Sequence, residues 1–160
     1  MSENAIDNLL QFMQPQIGQE LHVGDWLEID QERIDRFAEV TGDGQWIHVN
    51  PVKSAKESPY GATVAHGFLT LSLLPFLTQS NHPDYFQKNY PGMRLRVNMV
   101  VNKVRFPAPV IVGSRVRART LLQSVEPSGN GVQVIYKFTI EIDGKEEPAC
   151  VAESVVRVFP

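Results

Sequence analysis

A chain of 160 residues with 42% hydrophobic and 21% charged residues has the composition of one folded domain, and a domain of this length buries about 70% of the surface its unfolded chain exposes. Its net charge of −3 argues against a general nucleic-acid binder, whose affinity would come from a basic face that neutralises phosphates, and leaves a small ligand or a protein partner. Cys150 is the single cysteine, which excludes an internal disulfide and a zinc site built on thiolates.

The opening Met1-Ser2-Glu3-Asn4-Ala5-Ile6-Asp7 has neither the basic nor the apolar region of a secretory signal, which predicts a cytoplasmic protein. The longest apolar run, Phe68 to Leu77, is interrupted by Thr70, Ser72 and Pro75 and falls far short of the roughly 20 residues that span a bilayer. Ile6, Leu9, Leu10 and Met13 have helical spacing and predict a short amphipathic helix over Asn4–Met13, ended by Pro15 and attached to the main fold. Leu21 to Ile29 reads as one or two short strands around a Gly24-Asp25 turn. Asp30 is a candidate N-cap, and Ile34, Phe37, Ala38 and Thr41 then form one apolar stripe on a helix that Gly42 ends.

The stretch Thr41-Gly42-Asp43-Gly44-Gln45-Trp46-Ile47-His48-Val49-Asn50-Pro51 joins a carboxylate and an imidazole through a segment that its glycines and proline keep from being a regular helix. Such a loop can aim Asp43 and His48 into one pocket. An ionised Asp43 that orients His48 would leave an imidazole able to take a proton from water near neutral pH, the apparatus of a general base. Asp43 capping a turn, with His48 half buried beside Trp46, would produce the same pattern.

Residues 52–63 read as a short helical turn and a loop. From Val64 to Leu77 nearly every position is apolar or small, which predicts a helix buried on all sides that Pro75 kinks or ends. His66-Gly67 falls at its start, where the first backbone N–H groups lack internal partners and can receive a developing negative charge. Gly67 would let a carbonyl approach; close packing at Gly67 and a loop contact from His66 are the structural alternatives. Ser80 to Pro91 reads as a loop. Four long strands follow by period-two alternation: Met93 to Phe106 with a bulge near Val101, Val116 to Leu122, Val132 to Ile142, and Cys150 to Val158. Residues Glu126 to Gly131 connect the second and third. Seven of the 15 basic residues (Arg94, Arg96, Lys103, Arg105, Arg115, Arg117, Arg119) belong to the first two of these strands. They read as a solvated outer sheet face from which one or two could reach a phosphate. Helices followed by four long antiparallel strands predict an α+β domain, with one antiparallel sheet wrapped around a central buried helix.

In this order of elements and motifs the chain resembles the MaoC-like dehydratase family, which includes the (R)-specific enoyl-CoA hydratases and the nodulation-protein-N-like proteins, of hot-dog fold. The resemblance runs from about Gly24 to Val158. It rests on Phe37-Ala38-Glu39-Val40-Thr41-Gly42-Asp43 with His48 following, on Ala65-His66-Gly67-Phe68-Leu69, and on Asn102 to Val110. It implies a single hot-dog domain over 1–160 with residues 1–16 as an N-terminal helical extension. It further implies that Asp43 and His48 activate the water added to a trans-2-enoyl thioester, and that the Gly67 N–H, beside His66, stabilises the enolate. No metal or cofactor is implied, the CoA thioester being the substrate. The expected assembly is a homodimer joined sheet edge to sheet edge, with the acyl tunnel near the interface. Two positions depart from the family pattern. Gln45-Trp46 stands where the motif has Asn-Pro, which would reshape the pocket, and Pro75 stands where some members carry a supporting serine, with Ser72 one turn earlier. A hot-dog thioesterase and a non-catalytic acyl-thioester binding protein are the alternative readings.

Overall fold

The computed structural model describes residues 3–160. α1 (Glu3–Met13) is closed by a 3-10 turn at Gln14–Gln16 that holds Pro15, because proline has no N–H to continue the helix. Its apolar stripe is not an appendage. Leu9 and Met13 are fully buried in a core cluster with Leu122, Val134, Tyr136 and Val158, and each such side chain contributes roughly 1.5–3 kcal/mol of apolar burial.

β1 (Glu20–Val23) and β2 (Leu27–Glu28) are the expected short strands. α2 (Gln31–Thr41) begins on Asp30, whose side chain accepts from the Arg33 N–H at 2.8 Å, as an N-cap should. Ile34 and Ala38 of its stripe are buried and Phe37 is partly so, but Thr41 is exposed. There its hydroxyl donates to the Phe37 carbonyl at 2.6 Å. α3 (Trp46–Val49) and α4 (Pro51–Glu57) follow.

The central helix differs from the sequence expectation. Val64 pairs with Ile111, and the Ala65 N–H donates to Val110 O at 2.8 Å, so the chain is still extended there and the helix starts only at Gly67. As expected of Pro75, it then divides into α5 (Gly67–Ser72) and α6 (Leu74–Leu77), since proline has no N–H for the carbonyl one turn back. Nor is it buried all round. Leu69, Leu73 and Leu77 pack against Val116, Ala118, Ile140 and Ala152 of the sheet, whereas Phe68 and Phe76 are 68% and 61% exposed.

The segment 80–91 also holds more order than a loop. α7 (Pro83–Asn89) starts on a proline, with Asp84 in the first turn and Lys88 in the last, an arrangement suited to the helix dipole. β3 (Leu95–Arg105), β4 (Arg115–Ser128), β5 (Gly131–Ile142) and β6 (Cys150–Phe159) are the four long strands. They form one six-stranded sheet of order β1-β4-β5-β6-β3, with β2 also on β4, every pairing antiparallel. The register of β3 against β6 slips on both sides of Val101, between Asn98 and Val100 and between Asn102 and Arg105, so the parity change has two causes. Pairing of β4 with β5 continues to Ser128 opposite Gly131, which shortens the expected connection to Gly129-Asn130. The whole is a hot-dog fold: one antiparallel sheet around α5 and α6.

Candidate functional site

Four segments build the site, and local chemistry fixes each. At the end of α2, Gly42 adopts φ 76°, and its N–H returns to Ala38 O at 2.8 Å. Glycine takes that left-handed conformation without Cβ strain. The chain therefore turns at once and presents Asp43, whose side chain is exposed. The stretch Thr41–Pro51 is not a loop throughout. Only Gly42–Gln45 and Asn50 are irregular, α3 is a single helical turn that carries His48, and Pro51 is the first residue of α4. Gln31 of α2 braces this turn. It donates to His48 O at 2.7 Å and accepts from the Thr63 hydroxyl at 2.5 Å.

His48 is 8% exposed, and its Nδ1 lies 2.6 Å from the Val64 carbonyl oxygen. A carbonyl only accepts, so Nδ1 carries the proton and Nε2 of the neutral ring is left with a lone pair. The group that orients the imidazole is thus a backbone carbonyl and not the Asp43 carboxylate expected from the sequence. The carboxylate lies alongside: Asp43, His48 and His66 each bring one carboxylate or ring atom within 4.8 Å of the others.

His66, 2% exposed, lies against His48 with ring centroids 3.8 Å apart and planes 25° apart. Its Nε2 is 2.9 Å from the backbone oxygen of Asp43, and its buried Nδ1 has no partner among the described residues. By the same tautomer argument Nε2 donates and Nδ1 is the bare nitrogen. His66 therefore clamps the turn that carries Asp43. These three residues could together approach a cation.

Gly67 is the first residue of α5, where its N–H has no acceptor within the helix. A Cβ at Gly67 would come 3.0 Å from the ring of Phe106, so the missing side chain makes room for that ring. Gln45 is exposed, and Trp46 is half-buried with the Lys53 ammonium 4.8 Å from its ring centroid. Neither lines the cavity that runs along the same helix, whereas Ser72 does.

That cavity, of about 350 Å³, lies between α5–α6, α7 and the inner face of the sheet. Leu71, Leu74, Val101, Phe138 and Val156 supply its apolar lining. Leu71 is four residues beyond Gly67 and so stands one turn along the same face of α5. The cavity also holds a polar cluster that sequence reading missed. Tyr90 and Tyr136 share a hydroxyl hydrogen bond although 46 positions apart. Tyr85 and Arg96 lie in the same wall, and Arg96 Nη2 donates to Ser80 Oγ at 2.9 Å. Burial holds all three phenols above their ordinary range.

The basic residues of β3 and β4 mostly serve the outer face. Arg117 and Arg119 both bind Glu141, at 2.7 and 2.6 Å, and Arg119 also binds Glu20 at 2.9 Å. Arg115 pairs with Asp143, and Lys103 with Glu153. Burial tends to raise Glu141, but the two guanidiniums outweigh it and hold the carboxyl below its ordinary range.

A sheet folded around a helix, with a carboxylate and two imidazoles gathered at that helix's first turn, defines the hot-dog class. Residues 12–141 match the family model described as MaoC like domain, and the chain belongs to that family. It is 52% identical over 141 residues to 3-hydroxyacyl-thioester dehydratase Z of Mycobacterium tuberculosis, covering 88% of this chain and 89% of that protein. To nodulation protein N of Rhizobium leguminosarum bv. viciae it is 43% identical, over 85% of this chain and 82% of the relative. Among solved structures, the (R)-hydratase from A. caviae involved in PHA biosynthesis superposes with a TM-score of 0.65 at 22% identity, over 89% of this chain and 99% of that one, a likeness of fold.

Proposed function

We propose that this chain is an (R)-specific hydratase that adds water to trans-2-enoyl-CoA to give the (3R)-hydroxyacyl-CoA and catalyses the reverse dehydration. The observation that carries the reading is the buried His48 ring, its Nδ1 proton committed to Val64 O, with Nε2 left basic beside Asp43. In the forward direction Asp43 and His48 take a proton from water as its oxygen bonds to C3. The electron pair of the double bond moves toward the thioester carbonyl, whose oxygen becomes negative and meets the unpaired Gly67 N–H. The proton then goes to C2, and the site is restored with no net consumption. The kinship to a protein named a 3-hydroxyacyl-thioester dehydratase supports this chemistry over thioester hydrolysis or binding without turnover.

The test follows the loss of conjugated enoyl absorbance with crotonyl-CoA and longer substrates. Wild type is expected to hydrate them. Asp43→Asn and His48→Gln should each lower kcat by about 10²–10⁴, the usual scale of acid–base assistance. Undiminished turnover in both variants, or release of free CoA thiol in place of hydration, refutes the assignment.

The working unit is a cytoplasmic homodimer. β3 is an edge strand with Val97, Met99, Val100 and Val101 36–47% exposed, and an apolar edge of this kind is a template for pairing. Val101 also lines the cavity, which supports a cavity beside the proposed interface. Light scattering should give twice the 18.0 kDa chain mass; a monomer at micromolar concentration would contradict it. Among the described residues no helix is long and apolar enough to cross a membrane.

A further inference from the structure

The cavity beside α5 is equipped with more hydrogen-bond donors than a plain alkyl chain could use. Thr120 is 1% exposed, lines the cavity, and its hydroxyl has no partner among the described residues. It occupies an inward position of β4, between the buried Ala118 and Leu122, where valine would fill the same volume without burying a lone hydroxyl. Around it stand the Tyr90–Tyr136 hydroxyl pair, Tyr85, and Arg96, which binds Ser80 and Tyr90. Burial keeps the phenols protonated, so the Tyr90–Tyr136 pair, with one O–H committed to its mutual bond, keeps the other to offer, and no Asp or Glu is among the described residues that line the cavity. A wall of O–H and N–H donors set in apolar surface suits a chain that is mostly hydrocarbon but carries an oxygen.

We infer that the acyl group taken by this protein bears a further hydrogen-bond-accepting oxygen, as hydroxyl, carbonyl or carboxylate, remote from the thioester and bound by Thr120 with the Tyr90–Tyr136–Arg96 cluster. The inference rests on the reading that the thioester reacts at Asp43, His48 and Gly67. From that end, Leu71, on the Gly67 face of α5 and one turn along, leads the chain into the cavity.

The experiment compares kcat/KM for trans-2-enoyl-CoA substrates of matched length that end in methyl, hydroxyl, carbonyl or carboxylate. At least one oxygenated series is expected to exceed the methyl series by about tenfold or more, since a site built to hydrogen-bond a substrate oxygen rejects the analogue that leaves it unpaired. Thr120→Val and Arg96→Gln should each reduce that ratio, with Arg96→Gln acting most on the carboxylate. Equal rates for all chain ends, a preference for methyl, or a ratio that neither variant changes overturns the inference. If no thioester is hydrated, the proposed reaction fails separately. Calorimetric binding of the matched saturated acyl-CoA molecules then decides the preference, tighter binding of an oxygenated chain supporting it and equal binding refuting it.

Discussion

On the outer face of β4 and β5, Arg115, Arg117 and Arg119 project between buried neighbours and meet Asp143, Glu141 and Glu20. Charge answers charge, and the pairs sit in partial contact with solvent. At the start of α5 the polar groups are held differently. His48 and His66 each donate one ring N–H to a backbone carbonyl, Val64 O and Asp43 O, and each keeps one bare nitrogen. Side-chain partners satisfy one another and leave nothing over, whereas a backbone carbonyl fixes one edge of an imidazole and leaves the other available for chemistry. Changes on the outer face should therefore affect stability, and changes at the site should affect rate.

The largest expected effect is the loss of turnover in His48→Gln described above, with the melting temperature nearly retained. Comparable losses of folding stability and rate would erase the distinction between the two regions. Gly67→Ala comes next. The added Cβ would meet the Phe106 ring at 3.0 Å, and overpacking of this kind costs about 1–3 kcal/mol. Denaturant unfolding should show that loss, and Phe106→Leu in the same chain should recover most of it. Activity that stays low in the stabilised double variant would assign Gly67 a part in the reaction beyond making room for the ring.

The smallest effect belongs to Glu141→Gln, which should cost about 1 kcal/mol at neutral pH and leave kcat unchanged. The native carboxyl lies below its ordinary range, so its contribution is fully present above the unfolded pKa of about 4.3 and is lost as pH falls through the native value. The stability gap between wild type and variant, followed by urea unfolding, should close on acidification. A gap that widens in acid would mean that Glu141 is not held by Arg117 and Arg119.

The sequence by itself determined the strand faces, because alternation in β4, β5 and β6 has only one register that buries Val116, Ala118, Ile140 and Val156. It determined α2, from Asp30 at one end to Gly42 at the other, and it singled out Asp43, His48, His66 and Gly67 as candidate site residues. Only the tertiary structure decided what orients them. The Val64 carbonyl that fixes the His48 tautomer and the Asp43 carbonyl that receives His66 are main-chain groups, which every residue carries and no motif marks. Phe106 over Gly67 and the Tyr90–Tyr136 pair join positions far apart in the chain, so they depend on strand register and helix placement. Pro75 marked the break in the central helix, but the exposure of Phe68 and Phe76 was unreadable from composition. An apolar run specifies how much surface seeks burial, and the fold decides which side of it finds a neighbour.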